Sequence, residues 1–210
     1  MKSALVWGSS GGIGSATVEK LVAENWDVLA VSRSPANFGN SVTEVEIGDI
    51  RDPDEVATVA DEHQDKLTKV DLWVYAIGDI TSTRIADMDP EDWNRITETN
   101  LKGSFLTSRY SLPLLKDEAH MVFVGAVSER TQLPGLGAYV SAKAGLESFV
   151  EVLGKEERDR TISIVRPEAV DTPFWDKVSF DLPHGAREPE EVADRILEAY
   201  EQKEAGEVNI

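Results

Sequence analysis

Cysteine is absent from the 210 residues. That excludes disulfides, thiolate metal sites and a cysteine nucleophile, and says little about compartment. Histidine is scarce: His63, His120 and His184 are scattered without paired spacing, so no metal centre is expected. No apolar run approaches the ~18–20 residues that span a bilayer. The first run, Ala4 to Trp7, leads straight into glycines and is too short for a signal peptide. The expectation is a soluble, cytoplasmic protein with no membrane partner.

Positive charge is also short. Lysine occurs only 10 times, and 39 acidic against 21 basic residues leave a net charge of −18. Such a surface repels a phosphate backbone, so no nucleic acid partner is expected. The acids are spread along the chain and not gathered in a tail. Dispersed carboxylates with few lysines fit a halophilic protein, one that works in concentrated salt where their repulsion is screened; the alternative is an ordinary acidic protein. The expected result is a fold that loses stability when salt is lowered from about 2 M to about 0.1 M, and equal stability at both would exclude the halophilic reading.

What is present is a globular composition, 41% apolar and 29% charged. The length suits one domain over 1–210 and is too small for two ordinary ones. Short β-branched runs predict strands at Ser3–Trp7, Asp27–Ser32, Thr43–Ile47, Leu72–Ala76, Met121–Val124, Ile162–Arg166 and Glu207–Ile210. Helical patterns lie between them, near 13–24, 53–66, 90–115, 138–158 and 189–203. Runs such as Leu5-Val6-Trp7 are apolar throughout, as in parallel strands buried on both faces. The alternation predicts α/β architecture: a Rossmann-type, doubly wound parallel sheet built from right-handed βαβ units. Asp89-Pro90 and Glu188-Pro189-Glu190-Glu191 read as helix starts. Ligands of such sheets bind beyond the C-terminal strand ends, where strand order reverses.

Two motifs fall on that edge. Gly8-Ser9-Ser10-Gly11-Gly12-Ile13-Gly14 follows the first strand with spacing G-x3-G-x-G. Glycines there permit positive φ and close approach to phosphate, and the next helix offers free N–H groups and a positive dipole end. Tyr139 and Lys143 stand one helical turn apart, so a phenol and an ammonium share a helix face. In this order they describe an enzyme that moves a hydride with a nicotinamide and a proton with a tyrosine. The second strand ends at Ser32-Arg33, where an acid would grip the 2′-OH of NAD. A guanidinium matches a phosphate instead, so NADP(H) is expected over NAD(H), with Arg33 on the 2′-phosphate.

With these motifs the chain resembles the short-chain dehydrogenase/reductase family over nearly its whole length. The matching residues are Gly8, Gly12-Ile13-Gly14, Asp49-Ile50, Trp93-Asn94-Arg95 with Asn100-Leu101-Lys102-Gly103, the Tyr139 and Lys143 pair, and Arg166 to Pro173. The resemblance implies that Tyr139 is general acid in carbonyl reduction or base in alcohol oxidation. It implies that Lys143 lowers the phenol's pKa and holds the nicotinamide ribose, and that Asn100 positions a water in a proton relay through Lys143. Asp49 and Ile50 would meet the adenine, and Thr172 with the backbone around Val170 the carboxamide. It implies a small carbonyl or alcohol substrate, and a homodimer or homotetramer through the helices at 90–115 and 138–158.

Three departures stand out. The family's substrate-binding serine, about thirteen residues before the tyrosine, is Ala126 here. Ser128 lies two residues on and faces the same way if the chain stays extended; either it substitutes or the site lacks its donor. Trp7 and Tyr75 replace polar family positions on neighbouring strands and read as aromatic packing, while Gly78 still suits a close backbone approach to the cofactor. The segment Phe174 to Glu188 is short for a substrate lid, with Phe174, Trp175 and Phe180 as candidate walls or as a partner-facing surface. The competing functional expectation is a nicotinamide-binding redox sensor or partner-binding protein with little turnover.

Overall fold

The structure, a computed structural model, describes residues 1–63 and 69–210, and among them every side chain except that of Ser128. Seven strands, all parallel, form one sheet: β1 Ser3–Trp7, β2 Asp27–Ser32, β3 Val42–Glu46, β4 Val70–Tyr75, β5 Leu115–Val124, β6 Thr161–Arg166 and β7 Gly206–Asn209. Their order is β3-β2-β1-β4-β5-β6-β7. The connecting helices are α1 Gly12–Ala23, α2 Pro53–His63, α3 Pro90–Thr97, α4 Gly103–Ser111, α5 Gly137–Glu156 and α6 Pro189–Gln202. This is the doubly wound, Rossmann-type α/β domain that the alternation predicts.

Each apolar strand serves two cores, because successive side chains point to opposite faces. Leu5, Trp7, Trp73, Tyr75, Met121 and Phe123 pack on one face. Ala4, Val6, Leu72, Val74, Val122 and Val124 pack on the other. Helix starts form where the capping residues stand. Asp89 accepts from the Glu91 amide at 2.8 Å, and Glu188 with Glu191 makes a reciprocal capping box ahead of α6.

The expected helix 90–115 is broken. Between α3 and α4 one π-helical turn runs from Glu98 to Lys102, and Leu112–Leu114 is a 3-10 turn around Pro113. β5 then begins at Leu115, six residues before the expected Met121. Its early part is hidden in sequence by Lys116-Asp117-Glu118, yet Leu115 pairs with Val70 of β4 and is buried. The expected residues 64–66 of the second helix lie outside the described residues.

β1 is the switch point: β2 and β3 lie to one side and β4 to β7 to the other. In sheets of this kind ligands bind beyond the carboxyl ends of the strands at such a point, here β1 and β4. The Ala76 amide donates to the Trp7 carbonyl at 2.8 Å, so the chain leaving β4 runs against the glycine turn leaving β1.

Candidate active site

The glycine turn is built for close contact. Gly8 has φ +90°, and a Cβ there would lie 2.8 Å from Ile77 and 2.9 Å from the Ala76 carbonyl. A Cβ on Gly14 would strike the Gly8 carbonyl oxygen, and one on Gly12 would strike Thr172 Cγ2. The turn is pinned by the Gly8 and Ser9 amides, which donate to the Val31 carbonyl at 2.8 and 3.1 Å. Gly11 caps α1 without a side-chain bond, and the first turn of α1 holds no acid in a chain that has 39. The end of the helix therefore keeps unsatisfied N–H groups and its positive dipole. These residues fit a dinucleotide pyrophosphate.

Past β2, Ser32 bonds to the Ser34 carbonyl at 2.7 Å. Arg33 is exposed and has no hydrogen bond or ion pair among the described residues. An unpaired guanidinium in so acidic a chain is available to an anion. Asp49 is differently placed: Arg51 holds its carboxylate through bonds of 2.6 to 3.0 Å, and that guanidinium keeps it below the usual carboxylate range. Ile50 is buried in the core, its side chain close to Gly103 at the start of α4.

Tyr139 and Lys143 come together on α5 as their spacing predicts. The Lys143 ammonium is 5.8 Å from the Tyr139 ring centre and donates to the Val124 carbonyl at 2.9 Å. Both are buried, at 8% and 3% exposure. Burial acts on both groups here, beside whatever the ammonium does to the phenol. Burial pushes the Tyr139 phenol up, well above its ordinary value. Burial also pulls the Lys143 ammonium down to about 8, with Glu147 opposing.

The sign for stability follows. The unfolded chain holds a proton that the folded chain releases between about pH 8 and 10.5, so stability rises with pH across that window. Below pH 8 the fold carries the cost of a buried charge. Lys143→Met is therefore expected to gain up to about 1–3 kcal/mol at pH 7 and to lose the rise above pH 8. Urea unfolding at pH 7 and pH 10 checks this. A variant no more stable than wild type at pH 7 would mean that the hydrogen bond to Val124 outweighs the charge.

Asn100 sits in the π-helical turn and is fully buried. Its amide donates to the Asp79 and Ile96 carbonyls at 2.7 and 2.8 Å and accepts from the Asp79 amide at 3.4 Å. It thus ties the helix to the loop at Gly78, and its Oδ1 would stand 3.5 Å from a Cβ there. Tyr75 supports the same turn: its hydroxyl donates to the Thr99 carbonyl at 2.6 Å. Such π turns free carbonyls from the helix ladder, and here the aromatic residue in place of a polar one satisfies one of them. Trp7 pairs with Tyr75 in register, while the Tyr75 ring packs on Trp73 and Phe123.

The segment after Thr172 closes over this cluster. A 3-10 turn, Pro173–Lys177, brings the Phe174 ring to 5.8 Å from that of Tyr139 and within 3.4 Å of a Cβ built at Gly78. Trp175 turns away, its indole donating to the Val170 carbonyl at 2.9 Å. Sequence reasoning missed what holds the segment down. Lys177 pairs with Asp79 at 2.7 Å, Arg95 pairs with the other Asp79 oxygen, and Ser179 bonds to Ser82 at 2.9 and 3.0 Å. Burial, then Arg33 and Arg95, hold the Lys177 ammonium below its ordinary value. Asp79 directly follows the Gly78 that sequence singled out, so its neighbourhood was the available signal. Ala126 is buried beside this cluster. Ser128 opens a 3-10 turn, Ser128–Arg130, and its side chain lies outside the described residues.

Residues 2–182 match the family model described as short chain dehydrogenase. The chain belongs to the short chain dehydrogenase family. Membership makes it an NAD(P)-dependent oxidoreductase. Among curated relatives, this dehydrogenase is 26% identical to an uncharacterized oxidoreductase of Staphylococcus saprophyticus, over 99% of this chain and 94% of that one. It is 28% identical to the 3-oxoacyl-[acyl-carrier-protein] reductase of Thermotoga maritima, over 93% of this chain and 89% of that one. Among solved structures, the aldohexose dehydrogenase of Thermoplasma acidophilum superposes with TM-score 0.88 at 22% identity, covering 100% and 92% of the two chains. A 3-ketoacyl-(acyl-carrier-protein) reductase from Brucella melitensis complexed with NADH does so with TM-score 0.89 at 20% identity, covering 100% and 96%. Among the described residues of the dehydrogenase, no helix is long and apolar enough to cross a membrane.

Proposed function

We propose that this dehydrogenase interconverts a small carbonyl compound and its alcohol with NADP(H), using Tyr139 as the acid in reduction and the base in oxidation. The observation that carries the reading is the buried pair Tyr139 and Lys143 on one face of α5, with Phe174 packed between Tyr139 and the loop at Gly78 and Asn100. A bound nicotinamide supplies or accepts the hydride. The chain's own groups do the rest. Gly8, Ser10, Gly12, Ile13 and Gly14 line the pyrophosphate site at the start of α1, and the unpaired Arg33 takes the 2′-phosphate. Asp49 and Ile50 lie at the adenine, and Thr172, packed on Gly12, lies at the carboxamide. Tyr139 gives its proton to the substrate oxygen, and Lys143 with Asn100 returns one to it through water. Ser128 donates to the same oxygen. Reductases of oxoacyl groups among the relatives support the carbonyl chemistry, and the exposed Phe105 of α4 and Val152 of α5 suit a homodimer or homotetramer built on those helices.

Binding of NADPH and NADH in high salt, read by quenching of tryptophan fluorescence, tests the reading; a panel of carbonyl substrates follows. Failure of the folded protein to bind either nucleotide would sink it. A second reading, a redox sensor with little turnover, is favoured by Ala126 at the serine position and by Phe174 lying on Tyr139. NADPH binding without turnover of any carbonyl or alcohol would select it.

A further inference from the structure

At the amino ends of the strands, away from the edge that carries Tyr139, lies a cavity of about 710 Å³. That is an ordinary size for a small-molecule site. Lys2 leads into β1, Lys69 leads into β4, Lys116 belongs to β5 and Lys203 follows α6, so four of the chain's 10 lysines stand on one wall. Asp71, Asp117, Glu118 and Glu201 stand there too, which makes the wall neutral in a chain where 39 acids face 21 bases. Asp71 is already engaged: it accepts from the Ser3 amide at 2.9 Å and from the Lys116 ammonium at 2.6 Å. Lys203 is 3.7 Å from Glu118, and Asp117 and Glu201 are exposed to water. Lys2 and Lys69 make no ion pair among the described residues. The Lys2 ammonium lies instead 4.9 Å from the ring centres of Trp26 and of Tyr200. The two lysines enter neighbouring strands, with Ala4 beside Leu72 and the Ser3 hydroxyl donating to the Lys69 carbonyl at 3.1 Å. Neighbouring cations without a carboxylate are relieved by an anion.

The same cavity is lined by His120, which is 2% exposed. Its Nε2 is 2.7 Å from the Ser163 hydroxyl, while its Nδ1 is buried and has no hydrogen-bond partner among the described residues. Burial pulls its pKa down to about 4, with Glu204 opposing, so the ring is neutral near pH 7. A neutral imidazole carries one N–H. With the Ser163 hydroxyl donating to Nε2, that N–H sits on Nδ1 and lacks an acceptor. Folded chains rarely leave such a group unpaired. The Tyr200 ring, 6.2 Å from that of His120, joins this histidine to the Lys2 ammonium. A buried donor without an acceptor and two ammonium groups without an acid thus share one cavity, and all three ask for the same thing, an oxygen bearing negative charge.

We propose that this cavity is a second binding site, separate from the nucleotide and the reacting carbonyl, and that it takes a small molecule carrying a phosphate or carboxylate group, held by Lys2, Lys69 and His120. The test titrates the whole chain with inorganic phosphate and, separately, with citrate, at the lowest salt at which it stays folded. The ring resonances of His120 and Tyr200 report binding at this cavity alone. A saturable shift with at least one of the two anions is expected, and the tighter of them names the group. Chloride at equal ionic strength is expected not to reproduce it. Lys2→Met and Lys69→Met alter exposed side chains, so the fold should persist; together they are expected to weaken binding by about tenfold or more, from the loss of bonds to a charged group. Arg33→Ala, at the other end of the strands, is expected to leave it unchanged. No saturable shift with either anion overturns the proposal. So does a shift that chloride matches, one that survives the double Met variant, or one that Arg33→Ala abolishes. None of these readings needs nucleotide or turnover, so the site stands or falls apart from the function proposed above.

Discussion

Tyr139→Phe is expected to cut turnover by about 10²–10⁴-fold, the usual contribution of a positioned acid or base, while NADPH binding persists. The substitution removes one hydroxyl and keeps the ring that packs against Phe174 at 5.8 Å. The fold should therefore survive, since burial of Tyr139 penalises the charged phenolate and not the ring. Steady-state rates on any carbonyl that the wild type reduces, with fluorescence quenching by NADPH on the same samples, separate chemistry from binding. A Phe variant with wild-type turnover would remove Tyr139 from the mechanism. Loss of binding together with loss of turnover would make it a cofactor contact instead.

Arg33→Ala is expected to raise the NADPH dissociation constant by about 10–100-fold, from hydrogen bonds to a charged group worth ~1.5–3 kcal/mol. NADH, with no 2′-phosphate, should bind as before. The argument stands on a guanidinium that makes no hydrogen bond or salt bridge among the described residues, although its charge is felt at Asp49, and on Ser32 standing at the end of β2 where NAD would want an acid. The difference should shrink as salt rises, because an exposed pair is screened within a Debye length. Equal weakening of both nucleotides would refute the assignment.

The central sheet was readable because each of its apolar strands is buried on both sides, and an uninterrupted run such as Leu5-Val6-Trp7 carries that directly. β5 was read short because Lys116-Asp117-Glu118 lie where the strand is open to solvent on its early part, and apolar periodicity is silent there. The π turn at Asn100 left no mark, since one extra residue per turn alters no residue type; only the Thr99 carbonyl taken by Tyr75 reveals it. Tyr139 and Lys143 were legible because four residues along a helix define a face. Asp79, Lys177 and Phe174 were not, because their meeting depends on a loop folding back across 98 positions. Burial pushes the Tyr139 phenol up and the Lys143 ammonium down, a cost that spacing along the helix does not contain.

Phe174 over Tyr139 also bears on how a substrate is chosen. The roof is shut by contacts remote from the reacting hydroxyl, Lys177 to Asp79 and Ser179 to Ser82. On the proposed function, a substrate reaching Tyr139 would displace Phe174 and strain the pairs that hold its segment, so bulk would be felt at the rim before it is felt at the hydroxyl.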